Sequence, residues 1–330
     1  MDREPILEIK GLRTSFFTDD GEVPAVDDVS LYVHEGEMLG IVGESGCGKS
    51  VTSLSIMGLI PSPPGKIVDG DILYQGNNIV NLPEKKMRAI RGNDIAMIFQ
   101  EPMTSLNPLF SIGNQLIEAI RTHQNVSKKA AWDKSVEMLK LVGLPRAEEL
   151  MDDYPHQLSG GMRQRVMIAM AMICEPSVLI ADEPTTALDV TIQKQILQLM
   201  KELNQKLNTA IIMITHDLGV VAEVCDRVVV MYSGKIVETA DIHTLYKDPK
   251  HPYTKGLLAS IPDLRKKSEK LYSIPGNVPK PGSITEGCRF APRCEMAFER
   301  CFQEDPALYP CSSDEHEVRC FLHAPEEVKP

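Results

Sequence analysis

Aromatic residues are scarce, at 5% of 330 residues with a single Trp. That weighs against the ring-lined surfaces that stack bases. Positive charge is short as well. Lys and Arg number 35 against 46 Asp and Glu, a formal net charge of −11. An acidic chain repels phosphate backbones unless its cations cluster, so no nucleic-acid partner is expected. Long apolar runs are missing. Val166 to Cys174 is among the longest, well below the ~18–20 residues of a bilayer helix. The opening Met1-Asp2-Arg3-Glu4-Pro5 has acid and proline where a secretory signal has basic and then apolar residues. A cytosolic protein is expected, with docking on a membrane protein left open. Cytosolic thiols stay reduced, so the eight cysteines need an explanation other than disulfides. No internal repeat and no second phosphate loop is found.

What is present is ordinary for a globular chain. Hydrophobic residues make up 43% and charged residues 25%, which allows a sizeable core and rules out wholesale disorder. Leu7 to Phe17, Val29 to Val33, Met38 to Val42, Ile67 to Tyr74 and Ile95 to Phe99 read as strands. A helical stretch runs from the loop after Val42 to Ile60. From about Glu101 to Pro176 the spacing turns helical, with Ile112 to His123, Lys128 to Val142 and a buried helix Met162 to Cys174. Strand and helix then alternate: Val178 to Ala181, Thr191 to Leu207, Ala210 to Thr215, Leu218 to Cys225. Val228 to Val237 is a hairpin turning at Ser233-Gly234. This is an α/β domain with an inserted helical subdomain over about 101–176. From Ile261 prolines break the regularity, and five of the eight cysteines lie beyond Gly287. A division into a domain over 1–260 and a separate tail module over 261–330 is expected.

Gly43-Glu44-Ser45-Gly46-Cys47-Gly48-Lys49-Ser50 follows an apolar strand and opens a helix that continues with Val51. The glycines let backbone N–H groups converge on phosphate oxygens, and the helix start adds partial positive charge. Lys49 reaches the β/γ oxygens and the Ser50 hydroxyl ligates Mg²⁺. Cys47 reads as a small residue that fits the loop. Val178-Leu179-Ile180-Ala181-Asp182-Glu183 is an apolar strand ending in two acids. Asp182 is expected to hold Mg²⁺ through water, and Glu183 to accept a proton from the attacking water or to orient it. The long stretch between Ser50 and Asp182 is the helical insertion, whereas small GTPases place their metal-binding acid much nearer.

Leu158-Ser159-Gly160-Gly161-Met162-Arg163-Gln164-Arg165 opens another helix. Ser159 is a natural N-cap, and Gly160 and Gly161 permit close backbone approach. One chain thus has two phosphate receptors and a single nucleotide loop. A head-to-tail dimer resolves this, each helix start meeting its partner's nucleotide.

These motifs resemble those of the ATP-binding subunits of ABC transporters, over about residues 6 to 260, and Leu158-Ser159-Gly160-Gly161 with Gln164 is similar to that family's signature. The resemblance implies an ABC-type nucleotide-binding domain: a P-loop core, an antiparallel β subdomain and a helical subdomain, hydrolysing ATP with Mg²⁺. It makes Gln100 the Q-loop residue that contacts Mg²⁺ and senses the γ-phosphate. Ala187-Leu188-Asp189 becomes the D-loop at the dimer seam, and His216 the switch histidine. Phe16 is implied as the adenine-stacking ring with Phe17 as its substitute, although either also reads as core. Gln100 and His216 likewise have the plainer reading of hydrogen-bonding groups at strand ends.

Gln100-Glu101-Pro102-Met103-Thr104-Ser105-Leu106-Asn107-Pro108, His251-Pro252-Tyr253-Thr254 and Ile274-Pro275-Gly276 look like the oligopeptide/dipeptide importer ATPases. So does the tail from Gly287-Cys288-Arg289-Phe290. This branch implies ATP-driven peptide uptake at the cytoplasmic face of the cell membrane. Its partners are two permease subunits, a second ABC ATPase (identical or related) and, indirectly, an extracellular solute-binding protein. Close relatives handle nickel or other small solutes; a soluble ABC factor and a redox regulator are the rival classes. A permease helix is expected to dock near Glu101 to Phe110 with Ile112 and Gln115. The branch also implies a [4Fe–4S] centre in the tail. By family position its ligands are Cys288, Cys294, Cys301 and Cys320, with Cys311 free or a substitute. Zinc and unliganded thiols are the alternatives. Cys174 and Cys225 read as packing residues.

Overall fold

A computed structural model of the chain describes residues 4–100, 105–186, 188–261, 272–311 and 315–325. Glu101, Pro102, Met103, Thr104 and Ala187, used above, lie outside the described residues. The strands are β1 (Leu7–Thr18), β2 (Gly21–Val33), β3 (Met38–Val42), β4 (Gly65–Tyr74), β5 (Asn77–Asn78), β6 (Ile95–Ile98), β7 (Val178–Asp182), β8 (Ala210–Thr215), β9 (Arg227–Tyr232), β10 (Lys235–Asp241), β11 (Tyr309–Pro310) and β12 (Glu317–Val318). The chain forms two compact units. One comprises Met1–Ile6, Val33–Met38 and Asn81–Met213; the other comprises Leu7–Tyr32, Leu39–Val80 and Ile214–Pro330.

The first unit holds the strand order β8-β7-β6. β6 and β7 run parallel, with Ile95 opposite Val178 and Ile98 opposite Ala181. Every residue of β7 and β8 is buried, the near-continuous apolar run that strands covered on both faces require. The helical insertion is here. Helix Ile112–His123 buries Ile112, Leu116, Ile117 and Ile120, a three-and-four spacing that puts one stripe inward. Ser111 and Ser127 cap this helix and the next, Lys128–Leu141, by accepting from Asn114 N at 3.3 Å and Ala130 N at 3.2 Å. Helix Gly160–Met172 buries Val166 to Ala169 consecutively, so it is an interior helix, and Val190–Leu207 is amphipathic.

The second unit holds an antiparallel subdomain of order β2-β1-β4-β5 and the strands β11-β12-β10-β9-β3. β3 is parallel to β9, and β9 and β10 form a hairpin whose turn residues Ser233 and Gly234 have φ +46° and +85°. Two positive-φ residues are what a right-twisted two-residue hairpin needs. The helix after β3 spans Lys49–Ile56 and stops short of Ile60, because Gly58 adopts φ +59° and donates its N–H to Ser55 O. β2 starts at Gly21 rather than Val29, carrying its acids on a half-exposed antiparallel strand. The short helices Glu84–Ile90, Ile242–Lys247 and Pro252–Ala259 were not legible as periodic segments.

The separate cysteine-rich module expected of the tail is not supported. β12 pairs antiparallel with β10, Glu238 opposite Val318 and Thr239 opposite Glu317. This pairing adds the described tail to the strands of the second unit. Glu238 is fully buried beneath it and bonded on both oxygens. His316 Nε2 lies 2.9 Å from Oε1, and the N–H groups of Lys250 and His251 donate at 2.7 and 2.9 Å. Burial alone raises a carboxyl's pKa. Here the hydrogen bonds from His316, Thr254, Lys250 and His251 outweigh it and hold Glu238 below its ordinary value.

Candidate nucleotide site

The phosphate loop leaves the buried strand β3 at Val42. A Cβ on Gly43 would lie 2.2 Å from Met231 O, and one on Gly48 would lie 2.6 Å from Ala25 O, so both positions exclude side chains. Gly48 has φ +103° and immediately precedes the helix beginning at Lys49. That helix is rich in hydroxyls, which bond back onto its own turns: Thr52 to Gly48 O, Ser53 to Ser50 O, Ser55 to Val51 O. Lys49 is only 5% exposed, and its Nζ donates to Gly43 O at 2.7 Å and Glu44 O at 3.0 Å. Ser45 and Gly46 are exposed, while Ser50 and Val51 are half-buried. Cys47 is fully buried. Burial pushes its thiol up, more than Lys49 at 3.8 Å pulls it down, so it serves as a packing residue.

In the first unit, register brings two of the expected residues together. Gln100 and Glu183 each lie two residues beyond the paired Ile98 and Ala181. Gln100 Nε2 accordingly donates to Glu183 Oε2 at 3.1 Å, and Thr186 Oγ1 donates to the same oxygen at 2.9 Å. Glu183 sits at φ +48°, an uncommon conformation for a side chain of its size and one that clusters at functional positions. Asp182 is buried at the end of β7. Gln164 is buried and donates from Nε2 to Pro184 O at 2.5 Å, tying helix Gly160–Met172 to the turn after Glu183. Ser159 caps that helix by accepting from Met162 N at 3.3 Å. A Cβ on Gly161 would come within 3.1 Å of Ile192, whereas Gly160 faces open space. Asp189 caps helix Val190–Leu207 by accepting from Thr191 and Ile192 N–H.

Elsewhere in the second unit, His216 is exposed just after β8. Phe16 is half-buried on β1 opposite Gly65, and Phe17 beside it is 49% exposed. Of the residues expected to face a permease, Ile112 is fully buried, and Gln115 is occupied with Asn107 and Phe110 backbone. Both shape the loop from within. Exposed apolar groups in and next to that stretch include Phe99 at 42%, Leu109 at 80% and Phe110 at 51%.

Among the described residues, no group of three or more His, Cys, Asp or Glu side chains is arranged to hold a metal ion. The [4Fe–4S] site expected in the tail is therefore not supported. Cys288, Cys294, Cys301 and Cys320 are nevertheless electrostatic neighbours, and burial pushes Cys288 up to about 12 and Cys320 up to about 11. Such thiols are protonated, and thiolate ligands require metal to displace the proton. Cys311 instead feels the charges of Glu238, Lys250, Asp248 and Glu317, and burial raises its pKa.

The ABC transporter family profile matches residues 26–186, and that of the oligopeptide/dipeptide transporter C-terminal region matches 237–301. An AAA-domain profile described as a putative AbiEii toxin of a type IV TA system also matches 154–222. The chain is 54% identical over 321 residues to the oligopeptide transport ATP-binding protein AppD of Bacillus subtilis (strain 168), covering 97% of this chain and 98% of that one. The chain belongs to the ABC transporter ATP-binding proteins of the oligopeptide/dipeptide branch. OppD of the same organism is 52% identical over 98% of this chain and 90% of its own length. DppD, the dipeptide transport ATP-binding protein, is 52% identical over 97% and 95%. Among solved structures, a dimeric ATP-binding cassette in a post-hydrolysis state bound to ADP and Pi overlays with a TM-score of 0.64 at 27% identity. It covers 72% of this chain and 98% of that one. The cbiO1 subunit from Clostridium perfringens, part of the cbiONQ transporter complex, gives 0.63 at 28%, covering 74% and 92%. This protein is thus an ABC ATPase with the ABC cassette fold, and among the described residues no helix is long and apolar enough to cross a membrane.

Sequence reasoning missed the supports of the phosphate loop. Glu44 N–H donates to Tyr253 OH at 2.9 Å, and the Glu44 carboxylate is paired with Arg293. Tyr253 lies in the branch-specific His251-Pro252-Tyr253-Thr254 and Arg293 beside Cys294 in the tail, with no local signal tying either to a loop more than 200 residues away.

Proposed function

We propose that this ABC ATPase powers uptake of di- and oligopeptides through a membrane importer, working at the cytoplasmic face as a peripheral subunit. The observation that carries this reading is the similarity to AppD, OppD and DppD over 97–98% of the chain, tail included. ATP is held by Gly43, Ser45, Gly46, Cys47, Gly48, Lys49, Ser50 and Val51, with Phe16 toward the adenine. Ser50, Gln100 and Asp182 offer oxygen donors of the hard kind that Mg²⁺ takes, and the ion when bound neutralises developing phosphate charge. Glu183 orients and deprotonates the attacking water. Its bonds to Gln100 and Thr186 fix the carboxylate's direction before the substrate arrives. His216 reads the γ-phosphate. Ser159, Gly160 and Gly161, with Asp189 at the seam, act on the nucleotide of a second ABC subunit, an arrangement supported by the dimeric cassettes of similar fold. The ATPase domain spans 1–260, with its helical subdomain over about 101–176, and the tail spans 261–330.

Two permease subunits, fed by an extracellular binding protein, complete the assembly. Their docking surface on this chain is the apolar cleft of about 270 Å³ lined by Phe99, Ser105, Ala119, His123, Met167 and Met170, with Leu109 and Phe110 exposed nearby in sequence. In the tail, the four thiols that would take a [4Fe–4S] cluster are Cys288, Cys294, Cys301 and Cys320, which would have to draw together around it, since they are not arranged as a metal site without one. Their mutual electrostatic proximity and the different surroundings of Cys311 support this choice. Iron and acid-labile sulfide in anaerobically purified protein are the expected result; their absence together with absence of zinc overturns it.

Reconstitution tests the transport reading. Proteoliposomes carrying the whole importer should take up labelled peptide with ATP, and Lys49→Ala in this chain should abolish uptake. Uptake unaffected by Lys49→Ala, or uptake of nickel rather than peptide, would reject it.

A further inference from the structure

We propose that Arg293 is a positioning residue for ATP binding, clamping the phosphate loop through Glu44. The inference rests on the reading of residues 43–50 as the nucleotide loop. Arg293 donates from Nη1 to Glu44 Oε2 at 2.7 Å and from Nη2 to Oε1 at 3.1 Å. Two parallel charge-assisted bonds fix orientation as well as distance. The Arg293 side chain is 6% exposed and that of Glu44 27%, so the pair is partly shielded from solvent.

The arginine is itself held on its remaining donors. Its Nε donates to Pro275 O at 2.9 Å, and Nη1 lies 3.3 Å from Tyr232 OH. Tyr232 meets Tyr253 and Phe290 edge-on at centroid distances of 4.7 and 5.2 Å, and Tyr253 and Phe290 are tilted at 5.4 Å, forming a wall of three rings beside it. From that wall Tyr253 OH accepts the Glu44 N–H. Glu44 is thus gripped by its backbone and by its side chain, both from residues C-terminal to β10. Arg289, four residues earlier, bonds Asp27 and Ser233 O, and the following Gly234 accepts from Asp27 N and donates to Cys47 O. The turn Ala291–Arg293 and its flanks therefore brace the loop at Glu44 directly and at Cys47 through the hairpin.

A loop whose N–H groups must converge on phosphate loses affinity when it is free to wander, because ordering it is then charged to binding. The clamp acts before chemistry, so its loss raises the ATP dissociation constant and leaves the catalytic step alone. A pair that only stabilises the fold would lower the melting temperature without that split.

The test is titration of the full chain with a fluorescent ATP analogue, together with steady-state ATPase kinetics. Arg293→Ala and Glu44→Gln should each weaken nucleotide binding by about tenfold, with kcat at saturating ATP within about twofold of wild type. The double variant should be no weaker than the worse single one, and Arg293→Lys should recover part of the loss. Arg300→Ala, a tail arginine engaged with Glu304 and Phe321, should bind ATP normally. Wild-type affinity in Arg293→Ala, or losses that multiply in the double variant, would overturn the clamp. If Arg293→Ala does not fold, Glu44→Gln and Arg293→Lys decide the matter alone. Lys49→Ala separates the two readings: if it retains full affinity the loop assignment fails, and if it loses affinity while Arg293→Ala does not, only the clamp fails.

Discussion

Replacing His251 by Asn should remove one pH-dependent step from the stability of this ATPase. His251 is buried at the start of helix Pro252–Ala259, where its Nδ1 accepts from Tyr253 N at 3.0 Å. Burial, the largest influence, lowers its pKa from 6.5 to about 4 even though Glu238 works in the opposite direction. His323 and Lys255 add to the lowering, and Phe290 packs against the ring. A base whose folded pKa lies below its unfolded value binds fewer protons when folded. Its stabilising share is full above pH 6.5 and is lost as pH falls toward about 4. At about 1.36 kcal/mol per unit, going from pH 7 to pH 5 costs about 2 kcal/mol through this group alone. Asn keeps a cap acceptor and has no proton to gain. Urea unfolding followed by circular dichroism at several pH values should show the variant losing less stability than wild type over that interval, by about 2 kcal/mol. Parallel losses in the two proteins would refute the reasoning.

Three other perturbations follow from the packing. Glu238→Gln should destabilise at pH 7 by roughly 1–3 kcal/mol, because an amide cannot accept on both sides from the buried groups that the carboxylate now satisfies. Its carboxyl titrates below the ordinary value when folded, so this difference should shrink as pH falls below 4.5; a gap constant in pH would contradict it. Gln164→Ala should cost about 1–3 kcal/mol by stranding Pro184 O, measured as a drop in urea midpoint. Ile180→Ala in the centre of β7 should cost about 2–5 kcal/mol, and an unchanged midpoint would mean the strand is less tightly packed than it stands.

What the sequence disclosed and what it hid divide along distance in the chain. The loop at Gly43 to Ser50 and the strand ending at Asp182 were legible because each is a contiguous pattern with its own strand and helix context. The meeting of Gln100 and Glu183 follows from two short strands lying parallel in register, a pairing that neither strand's own pattern states. Ile112 went astray because an apolar residue at a helix start looks the same whether it faces a partner or the core. The tail misled for a related reason. Prolines and glycines mark irregular backbone but do not say what it packs against, and β12 adds to β10 through only two residue pairs. The Arg293–Glu44 pair spans 249 positions, and no local pattern encodes such a contact.

The proposed role of Glu183 is to activate the water that attacks bound ATP. Single-turnover hydrolysis by Glu183→Gln, with bound nucleotide measured in the same sample, tests it most directly. ATP binding should be retained, with hydrolysis slowed by about a hundredfold or more. Hydrolysis at the wild-type rate with nucleotide bound would contradict it.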